Sequence, residues 1–262
     1  MTNDLVLSSV DERVAHIVLN DPGSRNSLSD ELTASLIEAL LDADAREDVS
    51  VIVLSAAGKA FCAGGNIREF LTFRDRSAVT LLQEARTGTG RLFHVLEDLR
   101  TPLISVVQGA AVGGGCGIAC ASSYVFASVS SKFGTTEINL GLFPLAILPA
   151  VRRAVGDRNA FELGMTGVAI DATRAQEIGI VDRIVDEEKL LDEALAFARS
   201  IAARSPLAVG LGYTVFRETA AMPTHESIDY LSSVRVAFYQ SEDLREGAAS
   251  FLEKRAPKWT GR

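Results

Sequence analysis

The stretch TPLISVVQGAAVGGGCGIACASSYVFAS (101–128) decides how this chain folds. No charged residue falls between Thr101 and Ser131. Such a run is long enough for a membrane span, yet Gln108, a cluster of glycines and the pair Ser122, Ser123 interrupt it. It reads instead as a buried strand, a glycine turn, a short helix and a second strand.

An upstream segment has the same form. The apolar run Val49–Ser55 leads into the turn AFCAGGNI (60–67), as LISVVQG leads into GAAVGGGCGIA (109–119). Glycine, lacking a Cβ, lets another group come close to the backbone. A loop that enters a helix points unpaired N–H groups outward. Two such turns can aim two backbone donors at one oxygen atom, the arrangement that stabilises an oxyanion. Glu137 follows soon after the second turn and is a candidate base.

Outward from these turns, Leu5–Val10 and Arg13–Leu19 read as strands joined at Asp11–Glu12. Leu28, Leu32, Leu36, Leu40 and Ala43 form one stripe of a helix over 28–45, with Ser29 as its N-cap. Residues 66–98 are helical, with breaks expected at Gly88 and Gly90, and Lys132–Gly134 is extended. Beyond Leu145, AILPAVRRAVG, RNAFELGMTG and ATRAQEIG read as three short helices, VDRIV as a strand and 186–204 as a long helix. Two or three more helices run to Pro257. The expected division is a mixed α/β core over 1–200 and a helical region over 201–262.

Composition narrows the function. The 262 residues, 47% of them hydrophobic, suit one large core. Lys and Arg number 26 against 34 Asp and Glu, a net charge of −8, and no dense basic run appears. A nucleic-acid partner is therefore not expected. The start, MTNDLVLSSVDER, has neither the apolar core of a signal peptide nor the Arg-rich character of a presequence. A cytoplasmic protein without a membrane segment is expected. Cys116 and Cys120 have helical spacing but no flanking His or acidic residue, so buried thiols are expected rather than a metal site.

Several catalytic classes fall away. The glycine spacing does not match a dinucleotide-binding turn, and there is neither a GK[ST] phosphate loop nor a G-x-S-x-G elbow. Cys62 lies beside the first glycine turn, but none of its possible partners, His16, His94 and His225, sits in a turn-forming loop. His94, within LFHVLEDL, reads as a packed histidine.

Six segments in order resemble the crotonase, or enoyl-CoA hydratase/isomerase, superfamily over nearly the whole chain. They are NDPGSRNSLS (20–29), KAFCAGGNIREF (59–70), the 101–128 stretch, KFGTTEINLGLFP (132–144), ATRAQEIGIVDRIV (172–185) and EGAASFLEKRAPKW (246–259). The resemblance implies an α/β spiral of ββα units with a C-terminal helical region that trimerises and covers the active site. It implies homotrimers or hexamers, and an acyl-CoA substrate with no cofactor beyond the CoA of that substrate. The N–H groups of Ala63 and Gly114 match those that hold the thioester oxygen, and Glu137 matches the proton-transferring glutamate. Ala63, Gly64, Gly65, Asn66 and Ile67 match the adenine-binding turn, and Arg25 and Ser27 lie where CoA is gripped. Phe143, Leu145 and Ile147, in the apolar LFPLAILPAVRR, either shape the acyl pocket or pack as an ordinary helix.

One departure bears on mechanism. Family hydratases carry a second glutamate in GGGCE, where this chain has Gly117. Two carboxylates serve hydration best, whereas moving a double bond from 3-enoyl to 2-enoyl-CoA needs one base. Isomerisation is thereby favoured, with 2-enoyl-CoA hydration as the alternative and Glu69 or Glu84 as conceivable replacements for the missing carboxylate. A dienoyl-isomerase pattern would need aspartate where Leu145 stands. A non-catalytic binder of CoA thioesters also fits Gly117, although the retained Glu137 counts against it.

Overall fold

The structure, a computed structural model, describes residues 4–262; Met1–Asn3, the start of the N-terminal stretch read above, lie outside them. An antiparallel hairpin opens the described chain, β1 (Val6–Asp11) with β2 (Val14–Leu19). Its turn residues Glu12 and Arg13 both have positive φ, the pair of left-handed residues that matches strand twist in a two-residue turn. Helix α1 (Asp30–Ala45) starts where Ser29 Oγ accepts from Leu32 N at 3.1 Å, a cap that contributes about 1 kcal/mol. Strand β3 (Val51–Ala56) is followed by α2 (Ile67–Phe70), α3 (Ala78–Thr87) and α4 (Thr89–Asp98).

The charge-free stretch folds as read, into β4 (Leu103–Val107), β5 (Ala110–Val112), α5 (Gly114–Ala121) and β6 (Tyr124–Ser128). Then come β7 (Lys132–Gly134), α6 (Leu148–Thr166), β8 (Ile170–Asp171), α7 (Ala172–Glu177) and β9 (Arg183–Val185). Helices α8 (Leu190–Ala202), α9 (Pro206–Glu218), α10 (Thr224–Gln240) and α11 (Glu242–Glu253) complete the chain.

The main sheet has the order β1-β2-β3-β4-β6-β9 and is parallel from β2 onward; β5, β7 and β8 form a second, smaller sheet. A strand of the main sheet passes the chain to a short strand of the second and then to a helix, as in β4–β5–α5 and β6–β7–α6. This is the ββα spiral that the resemblance implied. Parallel strands covered on both faces are apolar throughout, and β3 shows why. Its Ile52 and Leu54 face a core shared with Leu32, Leu36 and Leu40 of α1, while Val51 and Val53 face Ala194, Ala198 and Ala202 of α8.

Some local readings change. The helices expected over AILPAVRRAVG and RNAFELGMTG are two halves of α6, bent at Gly156, where φ is 72°. Gly88 separates α3 from α4, whereas Gly90 lies within α4 rather than breaking it. His94 is exposed, not packed: α4 buries Leu92, Phe93, Val95 and Leu96 and turns His94 outward. All three cysteines are free and buried. No helix among the described residues is long and apolar enough to cross a membrane.

Candidate active site

The two glycine turns meet. Cys62 and Ala111 form a parallel bridge, with Cys62 N donating to Ala110 O at 3.0 Å and Val112 N donating to Cys62 O at 3.0 Å. This short ladder sets Gly64 against Gly113 and Gly114: a Cβ added at Gly64 would lie 3.5 Å from Gly114 N. The parallel pairing of β5 with β7 brings in Glu137. Gly113 N donates to Gly134 O at 2.8 Å, and the chain turns from Gly134 into a 3₁₀ turn, Thr136–Leu140, whose second residue is Glu137.

Glu137 is partly buried, and its Oε2 has no hydrogen-bond partner among the described residues. Desolvation by burial pushes its carboxyl above the ordinary value of 4.5. It lines a cavity of about 290 Å³ with Leu28, Phe70, Leu142, Phe143, Leu145 and Ile147. Phe143, Leu145 and Ile147 all line this cavity. The charged side chains on its wall, Asp30, Glu69 and Glu137, are all acidic.

A second cavity of about 520 Å³ adjoins the first and shares Ala63, Gly65 and Ile67 with it. Arg25, Ser27, Asn66 and Arg68 line it, so its charged side chains are basic. Arg68 is a residue the sequence reading passed over, although it stands inside the quoted KAFCAGGNIREF. Asn26 is another. Fully buried with φ 55°, it donates through Nδ2 to Ala57 O at 3.0 Å and Ala60 O at 2.9 Å, and its Oδ1 accepts from Asp21 N at 2.8 Å. It fastens the Arg25–Ser27 turn to the first glycine turn.

The expected donor pair requires correction at one member. Ala63 N already donates to Arg25 O at 3.1 Å, so its N–H is committed within the protein. The N–H groups of Gly65 and Gly114 donate to no described residue, and both residues line the cavity of Glu137. The two candidate replacement carboxylates also separate. Glu84 is ion-paired with Arg76 at 2.7 Å and lies off the cavity. Glu69 lines the cavity and accepts from Asn66 Nδ2 at 3.0 Å.

A spiral of ββα units around paired glycine turns defines the crotonase class of fold. The enoyl-CoA hydratase/isomerase family model matches residues 9–262, and the chain belongs to that family as an enzyme of the hydratase/isomerase type. It is 34% identical over 265 residues to the probable enoyl-CoA hydratase echA8 of Mycobacterium bovis, covering 100% of each chain. It is 32% identical over 258 residues to the enoyl-CoA hydratase EchA19 of Mycobacterium tuberculosis, covering 96% of each. The crystal structure of an enoyl-CoA hydratase of Mycobacterium smegmatis superposes with a TM-score of 0.90 at 31% identity, covering 97% of this chain and 98% of that one.

Proposed function

We propose that this enzyme moves the double bond of a 3-enoyl-CoA to the 2 position through an enolate, with Glu137 as its single base. The observation that carries this reading is the unpartnered Glu137 Oε2, in the cavity that also holds the free N–H groups of Gly65 and Gly114. Glu137 takes the Cα proton and the electron pair moves toward the thioester oxygen. The Gly65 and Gly114 N–H groups stabilise the resulting oxyanion. Each such donor is worth about 3–4 kcal/mol of barrier, so the pair supplies much of the enolate's stabilisation. The protonated Glu137 then returns the proton at Cγ, which leaves the 2-enoyl product and restores the carboxylate.

The paired cavities support a CoA thioester as substrate. The basic cavity with Arg25 and Arg68 suits phosphates, and the apolar one with only acidic charges suits a neutral acyl group. A second carboxylate on the acyl chain would face Asp30, Glu69 and Glu137 without a cation on that wall. The trimer or hexamer and the cytoplasmic setting belong to the same reading; the exposed Val236 and Tyr239 of α10 and Phe251 and Leu252 of α11 suit burial against further copies.

One observation favours hydration of a 2-enoyl-CoA as a second reading. Glu69 shares the cavity with Glu137 and is oriented by Asn66, as a water-holding carboxylate would be. Incubating a saturated acyl-CoA with the enzyme in heavy water tests the enolate common to both. Deuterium at Cα that depends on Glu137 is expected. Its absence across a range of chain lengths, together with no conversion of a 3-enoyl-CoA or a 2-enoyl-CoA, would leave a non-catalytic thioester binder.

A further inference from the structure

The place that a second carboxylate would take at Gly117 is filled by protein. A Cβ added there would lie 2.4 Å from Ile147 Cγ2, 2.7 Å from Ile147 Cβ and 2.8 Å from Phe93 Cζ. Contacts under 3 Å force a neighbour to move, and Ile147 has little freedom to do so. Its Cβ is fixed by the backbone, and its Cγ2 moves only by a turn of χ1, which is stiff in a β-branched side chain. That backbone is held as the N-cap of α6, where Ile147 O accepts from Val151 N at 3.0 Å. Ile147 is 2% exposed and lines the cavity of Glu137. Gly117 sits about one helical turn beyond Gly113 and Gly114 on α5, so this apolar wall lies further along from the free N–H of Gly114.

We propose that Ile147 is the specificity-determining residue of this site, filling the space in which a hydrating relative holds its second carboxylate and attacking water. The proposal rests on the enolate reading above. In hydration a water oxygen bonds to Cβ while its proton is taken up and Cα is protonated. A water against Ile147 and Phe93 finds no polar partner from either side chain, and such a site stays dry. The protonated Glu137, whether or not its proton has exchanged with solvent, therefore delivers a proton only to the acyl chain, at Cα or Cγ. Gly117→Glu alone does not restore the two-carboxylate arrangement, because Ile147 must leave as well and the tip of the Phe93 ring must shift. Ile147→Gly removes both of its contact atoms at an N-cap, a position where glycine is tolerated.

The test compares wild type, Ile147→Val, Ile147→Gly, Gly117→Glu and Gly117→Glu/Ile147→Gly. Each is assayed for 3-hydroxyacyl-CoA formed from a 2-enoyl-CoA, for isomerisation of a 3-enoyl-CoA and for deuterium exchange at Cα. The hydration-to-isomerisation ratio should stay low in wild type and Ile147→Val, rise at least about tenfold in Ile147→Gly and rise further in the double variant, a change of about 1.4 kcal/mol per tenfold. Gly117→Glu alone should melt at a lower temperature and gain no hydration. A folded Ile147→Gly with intact exchange and an unchanged ratio overturns the role of Ile147. So does a wild type that hydrates as fast as it isomerises. Absence of both exchange and 3-enoyl-CoA conversion in wild type instead overturns the enolate reading beneath it. If Ile147→Gly does not fold, Ile147→Ala, which removes Cγ2 but keeps the Cβ, carries the comparison of the single variant with wild type.

Discussion

The Glu137 carboxylate lies against the backbone of Gly113, so closely that a Cβ there would stand 3.3 Å from Glu137 Oε1. Gly113 also has φ 54°, in the region that side chains disfavour, just where the chain enters α5. Gly113→Ala should therefore strain the turn and displace the carboxylate together. The expected result is a loss of roughly 1–3 kcal/mol of stability and a fall in kcat/KM of about tenfold or more for one misplaced catalytic group. Chemical denaturation and steady-state kinetics on the same preparation check both.

Glu137→Gln removes the base but keeps the shape. General-base catalysis contributes about 10²–10⁴ in rate, and kcat/KM should fall by that factor. Stability should move the other way. Burial raises the folded-state pKa of Glu137, so the folded protein binds this proton more tightly than the unfolded chain does. Stability from this group is then lost as pH rises from the unfolded value through the raised folded value. Above that window Glu137→Gln should melt higher than wild type, and the difference should shrink as pH falls below about 4, where both states carry the proton. Thermal melts across pH show the sign. Activity should be lost on the acid side with an apparent pKa above 4.5, because the base must be ionised.

Arg25 and Arg68 are exposed on the basic cavity, apart from the proton transfer. Replacing either with Ala should raise KM for an acyl-CoA by about three- to tenfold with little change in kcat, as expected for an exposed charged contact. The effect should fade at high salt. An acyl-pantetheine thioester, which lacks the nucleotide phosphates, should show no difference between wild type and variant.

Asn26 ties the Arg25–Ser27 turn to the first glycine turn through three hydrogen bonds, one buried and two half-buried. Asn26→Ala leaves backbone groups of Asp21, Ala57 and Ala60 without that partner. A loss of about 2–4 kcal/mol in denaturant unfolding is expected, at roughly 1–3 kcal/mol for each buried group left unsatisfied. The KM for acyl-CoA should rise in parallel, since Ala63 N donates to Arg25 O in the same turn.

Features that depend on neighbours along the chain were legible in the sequence. The apolar runs became β3, β4 and β6, and Ser29 capped α1. Features that depend on tertiary placement were not. Nothing near Glu84 separates it from Glu69, yet Arg76 takes one and the cavity takes the other. The commitment of Ala63 N to Arg25 O joins segments 38 residues apart, and no spacing rule anticipates it. Gly117 could be read as a missing glutamate. That Ile147 and Phe93 close over it emerges only once α4, α5 and α6 are packed together. The apolar neighbours of His94 in sequence span only the buried face of α4, and the helix turns His94 to the other.

Transfer by one base with no added water is tested by giving wild type and Glu137→Gln a 3-enoyl-CoA in heavy water and identifying the products. The expected result is 2-enoyl-CoA as the initial product, with deuterium at Cγ whenever the proton on Glu137 exchanges with solvent before its return, and a near-complete loss of conversion in Glu137→Gln. A wild type that leaves the 3-enoyl-CoA untouched but converts 2-enoyl-CoA efficiently to the 3-hydroxyacyl-CoA would contradict it.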